Sequence, residues 1–348
     1  MKKFSILVLA ILAASTFLYS QHFNTRISGI LKDSETGKPV ENANVFIANT
    51  FFGSSSDAKG YYEIIGVPAG THEIMITVLG YEMVARAIKV KKNKPVKKNF
   101  TLKPKLYVLP PTEVIAEDYE DWYRDLRLFK ELFFGQNDFA EECKLTNDHV
   151  MRFDRYDGKF RAKAEAPLVI FNYALGLRIR CILEDFTFQG SESKVSWTVK
   201  SFYKKLEPEN EEQKTKWLEN RRLTFNNSVE KFLLYLRNGP YDEEAYKITY
   251  YTRLPIHLLS PNEMNPTVPD SLIRAGFIPG EKVLFFENYL QIKIPQSNLI
   301  SYLKLNYDEV TINEFGMTTE LQPFNIYGYW STKGMANQLP LYYYLENE

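Results

Sequence analysis

The sequence predicts a mainly β protein with some helix, in which an N-terminal β-sandwich precedes a β-rich α+β domain. Short alternating segments separated by turn residues fill residues 21–104, and longer alternating segments recur from residue 175 onward. Between them lie a few stretches whose apolar residues have helical spacing. Aromatic residues make up 15% of the chain, a share that suits strands.

The first twenty residues have the pattern of a secretory signal peptide. Lys2 and Lys3 precede an almost wholly apolar run, and the small residue Ser20 precedes Gln21. An uncleaved anchor is the alternative, but a spanning helix needs roughly 20 apolar residues. We therefore expect cleavage of residues 1–20 and no transmembrane segment after it. We expect the mature chain in the periplasm, at the outer membrane or outside the cell.

Composition limits the classes of function. The chain has 348 residues, enough for two ordinary domains, and its 45% hydrophobic and 25% charged residues are typical of a globular protein. Its formal net charge is zero, so no overall field points to nucleic acid as a partner.

The first domain, residues 21–104, is expected to consist of short strands joined by turns. Asp33 can cap a turn that Gly37 and Pro39 complete. The predicted strands cover residues 26–32, 44–48, 61–65 and 72–79. Turn signals repeating about every 8–12 residues indicate a sandwich.

These turns and strands carry a family resemblance. The region resembles the carboxypeptidase regulatory-like domain in the motifs Asp33…Thr36-Gly37-x-Pro39-Val40…Ala43-Asn44-Val45, Asp57…Gly60-Tyr61-Tyr62, Val67-Pro68-Ala69-Gly70 and Gly80-Tyr81. The resemblance implies a transthyretin-like (prealbumin-like) Greek-key sandwich over residues 24–103. It also implies a non-catalytic module, of the kind found beside peptidases and at the start of outer-membrane receptors. No active-site residue is carried over from it.

A lysine run near the end of this domain has two explanations. It could meet a polyanion, but lysines also keep exposed strand edges from pairing with other chains, and we favour that second explanation. The run comprises Lys89, Lys91, Lys92, Lys94, Lys97 and Lys98.

A proline-rich linker over residues 105–117 is expected to join the sandwich to the second domain, residues 118–348. Pro104, Pro110 and Pro111 favour an extended connector, which should be open to proteolysis near residues 104–118. An amphipathic helix should follow and end at Gly135. We expect its aromatic stripe to face the core; it comprises Tyr119, Trp122, Tyr123, Leu126, Phe129 and Phe133.

The rest of the second domain is predicted to be β-rich. Strands are expected at 175–188, 195–199, 246–252, 283–286, 290–294, 301–307 and 310–313, helical segments at 207–216 and from Ser228 to Leu236, and a loop at 261–269. In the first of these strands, one face carries Leu177, Ile179, Cys181 and Leu183, and the other carries Arg178, Arg180 and Glu184. The whole chain resembles exported bacterial proteins that pair a regulatory-like sandwich with such a domain. That resemblance rests on Pro167-Leu168-Val169-Ile170…Asn172…Ala174-Leu175-Gly176-Leu177 and Gly328-Tyr329-Trp330…Leu339-Pro340, and it implies no activity.

The two cysteines leave two alternatives open. An oxidising compartment permits a disulfide between Cys143 and Cys181. However, Cys181 lies on the apolar face of its strand, where a free thiol behaves as a small hydrophobe, so we favour free thiols.

No catalytic, cofactor-binding or metal-binding residue is predicted. A zinc carboxypeptidase needs His-x-x-Glu, and no Glu lies three residues after any histidine in the set His22, His72, His149 and His257. The stretch Gly53-Ser54-Ser55-Ser56-Asp57 does not fit the Gly-x-Ser-x-Gly elbow of hydrolases, and no phosphate-binding loop is present. Glu184 and Asp185 should point to opposite faces of their strand, which makes a poor acid/base pair.

These observations predict a non-enzymatic cell-envelope protein that binds another protein or a glycan, without a cofactor. The alternative is an envelope hydrolase whose site has no familiar motif. A hydrolase predicts a pocket of converging titratable groups, with Glu184 and His257 as candidates. A binding protein predicts a flat or grooved aromatic surface, with Trp330 as a candidate.

Overall fold

The computed structural model describes residues 25–105, 117–190, 194–239, 241, 244–254, 264–266, 269–278, 280–294, 297, 299–318, 320 and 322–345. The protein is mostly β, with 44% strand and 22% helix, which confirms the predicted class. The predicted signal peptide and residues 106–116 of the predicted linker lie outside the described residues. Among the helices in these ranges, none has the length and hydropathy of a membrane span.

Two sheets form the N-terminal sandwich, as the sequence predicts. Its strands are β1 (Arg26–Asp33), β2 (Asn44–Ile47), β3 (Gly53–Ser55), β4 (Tyr61–Ile65), β5 (Gly70–Thr77), β6 (Val84–Val90), β7 (Val96–Lys97) and β8 (Phe100–Leu102). One sheet has the order β4-β1-β7, with β8 also paired to β1, and the other has the order β3-β2-β5-β6. Alternation in β1 buries Ile27 and Leu31 between the sheets, where they meet Ile74 and Ile76 of β5.

The turns of the sandwich explain two of its motif residues. The Asp33 carboxylate accepts hydrogen bonds from the backbone N–H groups of Thr36 (2.6 Å) and Glu35 (2.9 Å), and these bonds lower its pKa. Gly60 has a φ of +72°, and a Cβ there would lie 2.4 Å from the Leu31 carbonyl oxygen. Only glycine therefore fits this tight turn.

A six-stranded sheet opens the second domain. Its strands are β9 (Cys143–Leu145), β10 (Met151–Tyr156), β11 (Lys159–Ala164), β12 (Leu168–Asn172), β13 (Leu177–Gln189) and β14 (Lys194–Lys205). The order is β10-β11-β13-β12-β9, and β14 pairs with β13 along its length. The sequence predicted β13 and the start of β14, but it missed β9, β10, β11 and β12.

Helix α1 (Glu117–Phe134) covers one face of this sheet, and the short helix α2 (Asp138–Glu141) follows it. Leu126, Phe129 and Phe133 are buried, and Phe129 lies 4.9 Å from Phe186 of β13 between ring centroids. The prediction of a core-facing stripe is confirmed at these three positions, whereas Tyr123 is exposed.

Two helices and two further sheets complete the second domain around their own core. The helices are α3 (Glu211–Asn226) and α4 (Val229–Asn238), and the strands are β15 (Lys247–Tyr251), β16 (Met264–Pro266), β17 (Ile273–Ala275), β18 (Lys282–Leu284), β19 (Tyr289–Ile294), β20 (Leu299–Leu305), β21 (Val310–Ile312) and β22 (Phe324–Gly328). The sheet orders are β16-β15-β19-β20-β22 and β17-β18-β21. As predicted, Ser228 caps α4, accepting from the Lys231 N–H at 3.1 Å, and Gly239 ends it with a φ of +44°.

Two predictions for this region need correction. The loop expected at 261–269 contains β16, which pairs with β15. In β13 a bulge shifts the register between Leu183 and Asp185, so Glu184 and Asp185 are both exposed and do not alternate between faces.

The sandwich packs against the six-stranded sheet. Phe46 and Met75, on the outer face of the β3-β2-β5-β6 sheet, are fully buried against Phe202 and the half-buried Ile182. The rings of Phe46 and Phe202 stack with centroids 5.1 Å apart. Backbone bonds add to the junction, because the Tyr203 N–H donates to the Thr50 carbonyl at 3.1 Å.

Candidate functional site

The five-stranded sheet has one buried face and one polar aromatic face. Leu290 and Ile292 of β19 and Leu303 of β20 enter the core, where Trp330 also lies. The residues that alternate with them along these strands point away from this core. We call this outer surface the tyrosine face; it comprises Tyr289, Gln291, Tyr302, Lys304 and Tyr327.

Cross-strand pairing arranges the tyrosine face in two rows. Gln291 pairs with Tyr302, and Tyr302 pairs with Tyr327, while Lys304 pairs with Asn325 in the adjoining row. Because strands are spaced about 4.8 Å apart, these side chains form one continuous surface.

Hydrogen bonds and ring contacts fix the side chains of this surface. The Gln291 amide Nε2 donates to the Tyr302 hydroxyl at 2.9 Å. The rings of Tyr289 and Tyr327 meet at 6.0 Å between centroids, and the Lys304 ammonium lies 5.5 Å from the Tyr289 centroid. Partial burial and the neighbouring Tyr289 raise the pKa of Tyr327, so its hydroxyl stays protonated at neutral pH. These contacts restrain the side chains of the tyrosine face.

The tyrosine face offers ring surfaces, hydroxyls, an amide and an ammonium group. Aromatic rings pack against the C–H faces of flat ligands, and the polar groups can bond to ligand hydroxyls. The described residues contain no cluster of three or more His, Cys, Asp or Glu side chains placed to hold a metal ion. The tyrosine face can therefore bind a ligand through ring packing and hydrogen bonds.

The candidates taken from the sequence for the two functional alternatives do not come together. Trp330, proposed for an aromatic binding surface, is only 5% exposed and donates from Nε1 to the Asn227 carbonyl at 2.8 Å, so it is a core residue and that prediction is wrong. Glu184 is exposed at the bulge of β13. His257 lies outside the described residues.

The burial and contacts of the two cysteines and of His72 and His149 follow from their positions in the fold. Cys143 is half-buried and Cys181 is buried, and both are free thiols, so the disulfide alternative is wrong. Burial raises the pKa of each thiol to about 12. The His72 Nε2 lies 2.8 Å from the Pro68 carbonyl inside the sandwich, and His149 is exposed.

The lysine run follows two sheet edges. β6 and β7 each end a sheet order, and the lysines on them and in the turn at Lys91–Lys94 are exposed. The Lys94 N–H donates to the Lys91 carbonyl at 3.1 Å, and Asn93 has a φ of +54° in this turn. This placement fits the explanation that lysines protect open strand edges.

A family comparison identifies the N-terminal fold. Residues 27–110 match the family model described as CarboxypepD_reg-like domain. The sandwich is a CarboxypepD_reg-like domain. The resemblance stated from the turn motifs is thereby confirmed. In the CarboxypepD_reg-like domain the matched turn residues Asp33 and Gly60 shape the backbone.

Comparisons with other proteins give little more. The group B streptococcus pilus 2b backbone protein is 15% identical over 23% of this chain and 41% of its own, with a TM-score of 0.21. A type II cohesin–X-dockerin complex from Acetivibrio cellulolyticus is 25% identical over 30% of this chain and 72% of that one, with a TM-score of 0.19. A DUF3823 family protein from Bacteroides ovatus is 10% identical over 53% and 82%, also with a TM-score of 0.19. TM-scores this low support no conclusion about function. No curated protein matches the chain.

Sequence reasoning missed the tyrosine face, although a signal was present. Tyr289 and Gln291 alternate with the apolar residues Leu290 and Ile292, and the same period recurs at Tyr302 and Lys304. The strand that carries Tyr327 was not predicted, and pairing across three strands was needed to bring these residues together.

Proposed function

We propose that the protein is an exported, non-enzymatic envelope protein that binds a glycan on the tyrosine face. The single observation that carries this proposal is the outer face of β19, β20 and β22, where Tyr289, Tyr302 and Tyr327 lie beside Gln291. Export rests on the leader pattern of residues 1–20. The CarboxypepD_reg-like domain, for which the resemblance implies no catalytic role, supports the binding assignment.

A glycan fits this surface better than a peptide strand does. The tyrosine face lies across the interior of a sheet, so most of its backbone N–H and C=O groups are already paired and cannot extend the sheet to a peptide. Recognition must come from side chains. Rigid tyrosine rings present contact area at a low cost in side-chain entropy, and amide and hydroxyl groups match the alternating donors and acceptors of sugars.

The test measures retention of the purified protein on immobilised polysaccharides, followed by calorimetry with the best soluble fragment. Replacing Tyr289 or Tyr327 by alanine should weaken binding roughly tenfold, since each change removes a ring contact of about 1 kcal/mol or more. Tyr156→Ala is the matched control, because Tyr156 is 67% exposed on the six-stranded sheet. Its affinity should equal that of the parent protein.

Two outcomes would contradict the proposal. One is a set of tyrosine variants that bind every retained polysaccharide as the parent protein does. The other is affinity capture from envelope extracts that returns a single protein, with capture lost in Tyr289→Ala, which would assign the face to a protein partner.

A further inference from the structure

The six-stranded sheet has an outer face opposite helix α1, and part of it is strongly basic. Leu177, Ile179 and Cys181 of β13 enter the core, whereas Arg178 and Arg180 lie on the other side. We call this surface the cationic face; it comprises Lys144, Phe171, Arg178, Arg180 and Lys204.

The strand register brings these residues into two neighbouring rows. Phe171 of β12 pairs with Lys144 of β9 on one side and with Arg178 on the other, and Arg178 pairs with Lys204 of β14. In the next row Arg180 pairs with Phe202. Four cations from three strands therefore share one patch, in which neighbouring strands are about 4.8 Å apart.

Arg180 is the unusual member of the patch. Its side chain is half-buried, and no described residue accepts a hydrogen bond from it or forms an ion pair with it. Burial and the nearby positive charge of Arg178 both lower the pKa of Arg180. A guanidinium placed in this way retains donors suited to a planar carboxylate or phosphate.

The surrounding carboxylates are distant or already paired. Glu184 lies four residues along β13, which is about 13 Å in a strand. Glu73 binds Lys200 at 2.7 Å, and Glu142 binds Lys216 at 3.2 Å. Among the described residues none forms an ion pair with Arg180, so its guanidinium can accept an anion from another molecule.

Aromatic rings at the edge of the patch indicate what kind of molecule this is. The guanidinium of Arg178 lies 5.6 Å from the Phe171 centroid, and the Tyr173 ring stacks on Phe171 at 6.0 Å with an interplanar angle of 20°. Tyr173 is 45% exposed, and its backbone is fixed because its carbonyl accepts from the Trp217 Nε1 at 2.6 Å. An exposed ring with a fixed backbone, beside two arginines on one face of a strand, suits a sugar ring that carries an acid group.

We propose that the cationic face binds an acidic glycan chain, with Arg178 and Arg180 on its acid groups and Tyr173 against a sugar ring. The site is separate from the tyrosine face. The two proposals are tested independently, because one uses tyrosine variants with immobilised polysaccharides and the other uses arginine variants with polygalacturonate.

The test is calorimetric titration of the purified protein with polygalacturonate, a linear polycarboxylate, and with neutral dextran as the comparison. Arg180→Met removes the charge but keeps an apolar stem, and it should weaken polygalacturonate binding at least tenfold. Arg180→Lys keeps the charge but loses the planar fork, so its affinity should fall between those of the parent and Arg180→Met. Arg127→Met is the matched control, because Arg127 is exposed on α1 and the change in net charge is the same.

Thermal unfolding without ligand separates a binding role from a structural one. Removing a half-buried cation that has no counter-charge should leave the unfolding midpoint of Arg180→Met unchanged or raised. The proposal is overturned if polygalacturonate does not bind, or if Arg127→Met loses as much affinity as Arg180→Met. Binding of polyglutamate with the same dependence on Arg180, without binding of polygalacturonate, would overturn the glycan assignment in favour of an acidic protein segment.

Discussion

Replacing Phe202 by alanine should loosen the contact between the CarboxypepD_reg-like domain and the six-stranded sheet. Phe202 is 8% exposed, its ring stacks on Phe46 at 5.1 Å, and its edge lies beneath Gly53. Truncation of a buried phenylalanine costs about 3–5 kcal/mol, which includes the transfer term and the cavity left behind. About 0.5–1.5 kcal/mol of this belongs to the ring pair. Because the partner ring, Phe46, belongs to the sandwich, Phe202→Ala should mainly weaken the packing of the sandwich against the six-stranded sheet.

Calorimetric unfolding and limited proteolysis measure this effect together. We expect the unfolding midpoint of Phe202→Ala to fall by about 2–4 °C for each kcal/mol lost, with separation of the sandwich from the rest of the transition. Phe277→Ala is the matched control, since Phe277 is 98% exposed and its truncation should change stability by no more than about 0.5 kcal/mol. Equal midpoints for Phe202→Ala and Phe277→Ala would refute the view that this ring holds the domains together.

Three further changes test other parts of the structure. Gly53→Ala would place a Cβ 2.7 Å from the Phe202 ring, so the free energy of unfolding measured with denaturant should fall by about 1–3 kcal/mol. Gly190→Ala should have a much smaller effect, because the nearest atom to its Cβ would be 3.8 Å away. Burial lowers the pKa of His72 below 6.5, so as the pH falls the unfolded chain takes up a proton before the folded protein does. The free energy of unfolding should therefore decrease as the pH drops below 6.5. The same pH dependence in His72→Gln as in the parent protein would contradict this. Arg155 binds the largely buried Asp125 carboxylate through two bonds of 2.6 and 2.7 Å, so Arg155→Met should cost about 1–3 kcal/mol by chemical denaturation.

Local pattern was sufficient to predict much of the fold. The strand over 61–65 was predicted with its observed bounds, and the start of the helix after Ser228 was predicted correctly, although this helix ends at Asn238 and not at Leu236. Each is delimited by turn or capping chemistry of its own. The family motifs worked for the same reason, since Asp33 and Gly60 act on neighbouring backbone.

The features that failed depend on long-range packing. Trp330 is aromatic and lies two residues after Gly328, and this local sequence gives no sign that the ring fills a core against Phe232. The strands β10 and β11 were missed because their sequences, MRFDRY and KFRAKA, carry as many charged as apolar residues. Long-range pairing places them in the sheet, because β10 pairs with β11 and β11 pairs with β13.

The two proposed binding surfaces follow from the same physical rule. An antiparallel sheet needs to bury only one face, and the other is free to carry function. In the five-stranded sheet that outer face carries half-buried tyrosines. In the six-stranded sheet the outer face has a covered part and an open part. The CarboxypepD_reg-like domain covers Phe202 and Ile182, while Arg178 and Lys204 remain exposed. Arg180 pairs with Phe202 at the boundary of the covered part and is half-buried. A less hydrated guanidinium binds an anion more strongly, so partial burial of Arg180 would strengthen the anion binding proposed for the cationic face.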